Sequence, residues 1–423
     1  LERSESARIA PMFERPPSRE WVSWLLVAAW SLVIFVTIPM ARAIQRIVRE
    51  TFGEQAFLYA VLIVILVALL VTLRYLRGLG SISPARAAWL VGVAAVYAGY
   101  AFKLRQIPSE VVHFLQYGVL GALAFRALTH RMRDPGIYVV AALVGGTVGI
   151  LDEAIQWLTP RRVWGLSDIW LNFFAASLIQ VGIAAGIRPP LIAGTPTPRS
   201  IRLICRIAML ATLLLLASLL NTPPRIAWYA ERIPALGSLL QRSDLMLEYG
   251  HLYEVPEVGR FRSRLPPAEL ERIDAERGAE AGRILAGSSE ADYQSFLERY
   301  TPITDPFLHE ARVHLFRRDR WLLVADYIGE DDDRYQEHVT VGYRENRILE
   351  LFFPNTLRHS GNSLTPERIA HLAQHQDPEE PYESMVSKDL LTRIGERHVV
   401  AGSAAILLVL LGIHGAAGRS MRR

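Results

Sequence analysis

Residues 108–172 read PSEVVHFLQYGVLGALAFRALTHRMRDPGIYVVAALVGGTVGILDEAIQWLTPRRVWGLSDIWLN. Three apolar runs are visible, and each carries polar residues near one end. The first opens with His113, Gln116 and Tyr117, and the second closes on Asp152, Glu153 and Gln156. A short connection, Thr159 to Ser167, holds Arg161 and Arg162, and the third run opens with Asp168 and Asn172. If all three runs cross a bilayer, chain direction alternates. The start of the first, the end of the second and the start of the third then lie on one side. His113 and Tyr117, Asp152 and Gln156, and Asp168 and Asn172 are each four residues apart, so each pair shares a helix face. The pattern predicts a polar cluster built by three membrane helices at one depth.

The rest of the chain fits that reading. Of 423 residues, 51% are hydrophobic, too many for an ordinary soluble protein, yet 21% are charged, too many for a chain lying wholly in lipid. The two properties segregate along the sequence, as in a membrane domain joined to an exposed one. The net charge of +4 comes from arginines near the ends of apolar runs, not from a basic stripe with interleaved aromatics, which argues against a nucleic-acid partner. The single cysteine, Cys205, rules out an intramolecular disulfide.

Residues 1–20 read as a polar tail, and 21–220 as a membrane domain of seven spans. The run at 21–40 is too long for a signal-peptide core and reads as the first span. Residues 41–55 suit a short interfacial helix, with Ile44, Ile47 and Val48 set against Arg42, Arg46 and Arg49. Further spans are expected at about 57–75, 87–103, 110–128, 137–158, 168–187 and 203–220. An eighth, at about 398–415, belongs to a last segment, 398–423, that ends in a basic tail. Connections on the N-terminal side hold sixteen arginines. The opposite short loops hold seven basic residues, or eleven with those flanking the large insertion. The positive-inside rule then places both termini in the cytoplasm of a bacterial inner membrane, with the cluster opening outward.

Residues 221–397 form an extracytoplasmic α+β domain inserted before the last span. Pro266 to Ala286 and Glu290 to Tyr300 read as helices. Ala311–Phe316, Trp321–Tyr327, Glu337–Tyr343 and Ile348–Phe353 are β-branched and aromatic runs separated by charged segments, which predicts a four-stranded antiparallel meander. Pro366 to Gln376 and Glu383 to Arg397 return to helix, the latter running into the final span.

A charged side chain in a bilayer costs about 2.5–3.5 kcal/mol at a helix centre and less near the interface. Two readings explain why the cluster keeps its charges. In one, Arg162 and Arg161 fold back onto the carboxylates while Asn172, Gln156 and Tyr117 bond across helices and fix the bundle. In the other, the cluster is a water-accessible pocket. His113, Asp152 and Glu153 then supply acid/base chemistry, and Arg162 holds a phosphate, oriented by Asp168 and Asn172 and flanked by Tyr117 and Gln156. No cofactor is implied. His113, Asp152, Glu153 and Asp168 lack a compact metal-binding motif. Asp331–Asp333 lacks the spacing of a calcium loop and reads as a hairpin turn. His309/His314 and His371/His375 lack a metalloprotease context, and the second pair reads as a solvated helix face. Gly145, Gly146 and Gly149 read as a close-packing surface.

The strings HFLQYGVLG, DEAIQWLTPRR and SDIWLN resemble the VanZ-like family of bacterial membrane proteins. The family pattern runs from a His-aromatic-x-x-Tyr helix start, through a carboxylate pair with a glutamine three residues on, to an arginine six residues before an Asp-x-x-x-Asn helix start. Here these are His113, Phe114 and Tyr117; Asp152, Glu153 and Gln156; Arg162; and Asp168 and Asn172. The resemblance covers about residues 90–187. One departure is Glu110, where the family often carries a lysine. The family takes its name from a protein that lowers susceptibility to the glycopeptide antibiotic teicoplanin. The resemblance therefore implies a cell-envelope protein binding or processing a membrane lipid or lipid-linked cell-wall precursor that bears phosphate. The alternative is a non-catalytic accessory subunit of a larger membrane assembly, docking through 221–397, where a sheet edge could accept a partner strand.

Overall fold

The computed structural model describes residues 19–160 and 162–421. The N-terminal tail up to residue 18, Arg161, Arg422 and Arg423 lie outside the described residues. The chain divides into two compact units. One comprises residues up to Ala217 together with 401–423, and the other is Ser218–Val400.

The first unit is built from α1 (Glu20–Phe52), α2 (Ala56–Gly78), α3 (Pro84–Lys103), α4 (Pro108–Leu128), α5 (Gly136–Leu158), α6 (Leu166–Val181) and α7 (Pro198–Leu219). The helix Glu396–Ser420 completes a set of eight, among the described residues, that are long and apolar enough to cross a membrane. This is a multi-pass membrane protein. Local sequence sets the helix starts: Pro84 and Pro108 occupy first-turn positions, where a fixed φ and a missing N–H cost nothing. The Ser83 side chain accepts the Arg86 N–H at 3.3 Å and caps α3. One expectation is corrected here. Residues 41–55 do not form a separate interfacial helix, because α1 runs unbroken through Pro39 to Phe52.

α4, α5 and α6 form the interior of this unit, and the glycines expected to pack closely do so. A Cβ at Gly145 would lie 2.4 Å from the Ala176 Cβ, one at Gly146 would meet Phe173 at 2.7 Å, and one at Gly149 would meet Asn172 at 3.0 Å. All three partners sit on α6, so small residues let the two helices cross nearly backbone to backbone. Polar bonds tie the outer helices on: Tyr97 of α3 donates to the Ala175 carbonyl at 2.5 Å, and Trp30 of α1 donates to the Gln116 carbonyl at 3.0 Å. By contrast, α2 leaves Ile63, Leu66 and Val71 exposed, the surface a lipid environment would cover.

The second unit is mainly helical. It contains α8 (Pro223–Ala230), β1 (Glu248–Tyr249), β2 (His251–Val255), β3 (Gly259–Ser263), α9 (Pro267–Ala286), α10 (Tyr293–Arg299), α11 (Pro306–Ile328), α12 (Tyr335–Phe352), α13 (Pro354–Ser360), α14 (Pro366–His375), β4 (Glu383–Met385) and β5 (Leu390–Leu391). The final helix is α15 (Glu396–Ser420). β2 and β3 form an antiparallel hairpin that β4 joins in parallel, while β1 pairs β5 in parallel. The four-stranded antiparallel meander is therefore not formed, and the four segments assigned to it lie in α11 and α12, the last ending on Phe353 just after α12.

The reason lies in the period of the buried residues. Tyr335, Val339, Gly342, Glu345, Asn346 and Leu349 recur every three to four residues along α12, and α11, buried on every side from Phe307 to Leu315, continues with Arg318, Leu322 and Ala325 at the same spacing. Several of these inward residues are polar, so the apolar content alone hides the helical stripe. The Arg317–Arg320 segment is mid-helix, not a turn, because Arg318 is buried and donates to Asn346 Oδ1 at 3.2 Å. The acidic segment after Gly329 is correspondingly a helix–helix connection. The helix expected over 383–397 is also corrected: short strands occupy 383–385 and 390–391, and α15 begins only at Glu396. The main core of this unit gathers Phe261, Leu270, Phe307, Leu308, Ala311, Ile348 and Phe353.

Candidate functional site

α4 brings Glu110, His113, Phe114 and Tyr117 along one side. Phe114 and Tyr117 are fully buried, and Phe114 packs on Tyr97 and Tyr100 of α3 with ring centroids 4.8 and 5.5 Å apart. This aromatic contact fixes the rotation of α4 and turns His113 toward α5. His113 Nδ1 then stands 3.8 Å from Asp152 Oδ2, close enough for an ion pair with a protonated ring and too far for a hydrogen bond.

The end of α5 is held by its own side chains. Gln156 Nε2 donates to Glu153 Oε1 at 2.7 Å and to Asp152 Oδ2 at 3.4 Å. The Gln156 carbonyl oxygen accepts from Arg162 Nη2 at 2.5 Å. The second oxygen of Glu153 accepts the Gly165 N–H at 2.9 Å, so Glu153 clamps the connection between α5 and α6. A Cβ at Gly165 would fall 2.5 Å from Asp168 Oδ2, so a larger residue there would push that rim carboxylate aside. Farther down, Gly149 lets Asn172 and Tyr117 approach each other over α5: a Cβ on it would be 3.0 Å from the Asn172 Cβ and 3.7 Å from Tyr117 Cε1.

His113, Tyr117, Asp152, Glu153, Gln156, Arg162 and Asn172 thus meet at one end of the bundle. Asp152 and Glu153 are 0% and 1% exposed, and His113, Gln156 and Asn172 are also buried. Asp168 stands at the rim, 3.2 Å from Ser167 Oγ, within electrostatic reach of Glu153 and Glu110. The Arg162 guanidinium reaches Gln156, whereas Asn172 faces Tyr117 across Gly149. Sequence reasoning missed Glu110 as a member. It shares the electrostatic neighbourhood of Asp152, Arg162 and Asp168, and its position three residues before His113 was the available signal.

Among the described residues the cluster therefore holds four carboxylates, Glu110, Asp152, Glu153 and Asp168, against one guanidinium and one imidazole. Buried atoms without a hydrogen-bond partner in and around it are of both kinds: Asp152 Oδ1 and Asn172 Oδ1 accept, Trp164 Nε1 donates, and His113 Nδ1 and the Tyr117 hydroxyl can do either. Two large cavities of this unit lie elsewhere. One of about 270 Å³, lined by Leu69, Leu90, Val93 and Ile183, is almost wholly apolar. The other, about 880 Å³, opens at the opposite end beside Arg131, Arg133, Arg199 and Arg202. A histidine facing a carboxylate next to a second carboxylate is a group set suited to proton transfer, and the mix of unsatisfied donors and acceptors suits a ligand that both gives and accepts hydrogen bonds. Comparison of the chain with known protein families, with curated proteins and with solved structures finds no match.

Proposed function

We propose that this is a VanZ-like protein of the bacterial cell envelope, and that its cluster binds, and transfers protons to or from, the headgroup of a phosphate-bearing lipid or lipid-linked cell-wall precursor. The observation that carries this reading is the burial of Asp152, Glu153 and His113 from two separate helices in one interlocked set. Apolar side chains of similar volume would hold the same helices together without the desolvation cost of charged groups. Buried acceptors and donors that lack partners favour a headgroup bearing hydroxyls, which both give and accept hydrogen bonds, such as a sugar, and Arg162 at the rim is the group suited to its phosphate. His113 and Glu153 would move protons, and Asp152 would hold the imidazole. Orientation follows from the arginine-rich end at Arg131, Arg133, Arg199 and Arg202, which the positive-inside rule assigns to the cytoplasm. The cluster and the 218–400 domain would then be extracytoplasmic, and both termini cytoplasmic. A contribution to glycopeptide resistance would follow if the bound molecule is a cell-wall precursor.

The test is native mass spectrometry of the detergent-purified protein, comparing wild type, Arg162→Ala and Glu153→Gln. The expected result is a co-purifying phosphate-bearing lipid whose occupancy falls in Arg162→Ala and persists in Glu153→Gln, with any turnover lost in the latter. An identical lipid profile in all three proteins would remove the headgroup site.

A further inference from the structure

In the 218–400 unit, Gly329 and Glu330 follow the end of α11, and the chain turns through Asp331, Asp332 and Asp333 into α12. α14 brings His371 and His375 to the same place, one helical turn apart, with Leu372 fully buried between them. Leu372 packs with Leu322, Ala325, Tyr335 and Val339, which ties the face carrying both histidines to the ends of α11 and α12. The rings of His371 and His375 are stacked, 4.3 Å between centroids and 28° apart.

One carboxylate faces both rings. Glu330 Oε1 is 3.0 Å from Nε2 of His371, and Glu330 Oε2 is 3.8 Å from Nε2 of His375. Single ligand atoms from the three side chains all lie within 4.8 Å of one another. We infer that Glu330, His371 and His375 form a binding site for a divalent transition-metal ion, with zinc as the type case.

Three arguments support the site. The first is spacing: at metal–ligand distances of about 2.0–2.1 Å, tetrahedral ligand atoms lie roughly 3.3 Å apart, which the separations above bracket. The second is tautomer. His375 Nδ1 lies 2.8 Å from the His371 carbonyl oxygen, and that contact requires the proton on Nδ1. Nε2 of His375 then presents its lone pair toward Glu330, the outer-shell arrangement that orients metal-binding imidazoles. The third is charge. The neighbouring guanidiniums are already engaged, Arg368 with Asp326 and Arg334 with Asp332, so Glu330 faces imidazoles and no arginine. Exposed Asp331 and Asp333 add negative potential beside it. Two imidazoles and one carboxylate select zinc-like ions over calcium or magnesium, which require more oxygen ligands. All three residues are partly exposed, so a fourth position is open to water, as in sites that exchange ligands.

The test uses the full chain in detergent, stripped of metal by chelator and carrying no histidine tag. Zinc is titrated by calorimetry, and cobalt(II) serves as an optical probe of coordination geometry. One site per chain is expected, unaffected by millimolar magnesium. Removing outer-shell partners already weakens metal sites about 10–100-fold, so His371→Ala, His375→Ala and Glu330→Gln should each weaken zinc binding by at least about 100-fold. Zinc should also protect His371 and His375 of the wild-type chain from diethyl pyrocarbonate, a readout that needs no variant. Absent stoichiometric binding, binding that survives in the double alanine variant, or histidines equally reactive with and without saturating zinc would each overturn the site.

Discussion

Gly145→Ala adds one methyl group where α5 and α6 cross. Its Cβ would lie 2.4 Å from the Ala176 Cβ, whereas ordinary contact begins at 3.4 Å, a deficit of about 1 Å. A flexible side chain could swing aside, but the obstructing atom is itself a Cβ fixed to the α6 backbone. The helices must therefore separate, and the strain falls one turn away, where Gly149 packs so close to Asn172 that a Cβ on it would lie 3.0 Å from the Asn172 Cβ. Overpacking of this kind costs about 1–3 kcal/mol. The upper half of that range is expected here, because two backbones have to move. The perturbation can be reversed from the other side. Ala176→Gly removes the obstructing methyl group, so the double variant should regain most of the lost stability. Thermal unfolding of the four proteins in one detergent gives the double-mutant cycle, with a coupling of about 1–2 kcal/mol expected between residues in direct contact. Lipid occupancy by native mass spectrometry should follow the same pattern, since the crossing sets the distance between Asp152 and Asn172. A Gly145→Ala protein as stable as wild type, or one that Ala176→Gly leaves unimproved, would refute the argument that this crossing positions the cluster.

Three further outcomes concern the 218–400 unit. Glu345 is fully buried and accepts from Ser384 Oγ at 2.7 Å and from the Tyr382 hydroxyl, with His314 Nδ1 at 2.7 Å and Arg317 Nε at 3.1 Å. Glu345→Ala should destabilise the unit by about 3–5 kcal/mol by leaving those partners uncompensated, measurable as a lower denaturation midpoint, with Glu345→Gln losing less. Asp274 caps α13, accepting the N–H groups of Asn355 and Thr356 at 2.8 and 3.0 Å and the Thr356 hydroxyl at 2.7 Å. Asp274→Ala should cost about 2–4 kcal/mol and show as faster amide exchange in α13. Burial, with Arg264 nearby, pushes the His309 imidazole down to about 3. The unfolded chain, with an ordinary histidine near 6.5, binds more protons between those values. The stability tied to this residue is thus present above pH 6.5 and lost as pH falls toward 3, by about 3 kcal/mol at pH 4. In His309→Gln the acid-side slope should flatten by that amount in urea titrations, and an unchanged slope would count against the buried neutral form.

What could be read from sequence follows a physical division. The spans were legible because a bilayer imposes one strong constraint, a long apolar run, and interior polar residues stand out against it. His113, Tyr117, Asp152, Glu153, Gln156 and Asn172 could be grouped by alternating chain direction and helical spacing alone. Glu110 was passed over because it sits in the first turn of α4, where an acidic residue already has a local explanation in the helix dipole. In the 218–400 unit no such constraint operates, and the core of α11 and α12 is partly polar. His314, Arg318, Glu345 and Asn346 face inward and pair with one another or with neighbours, so apolar and polar residues no longer mark inside and outside. Without that stripe, the β-branched and aromatic content of 311–353 dominated and pointed to strands, a local preference that tertiary pairing overrides. The hairpin of β2 and β3 carried one readable mark, Gly259, whose φ of +92° is one that glycine tolerates and other residues rarely adopt. The three metal-ligand candidates were legible only in part. His371 and His375 are one turn apart in any helix, but Glu330 lies about forty residues earlier, and only the packing of Leu372 against Leu322 and Tyr335 brings the carboxylate to them. The membrane cluster is thus encoded by spacing within and between adjacent helices, whereas the site at Glu330 is encoded by a hydrophobic contact that carries no chemistry of its own.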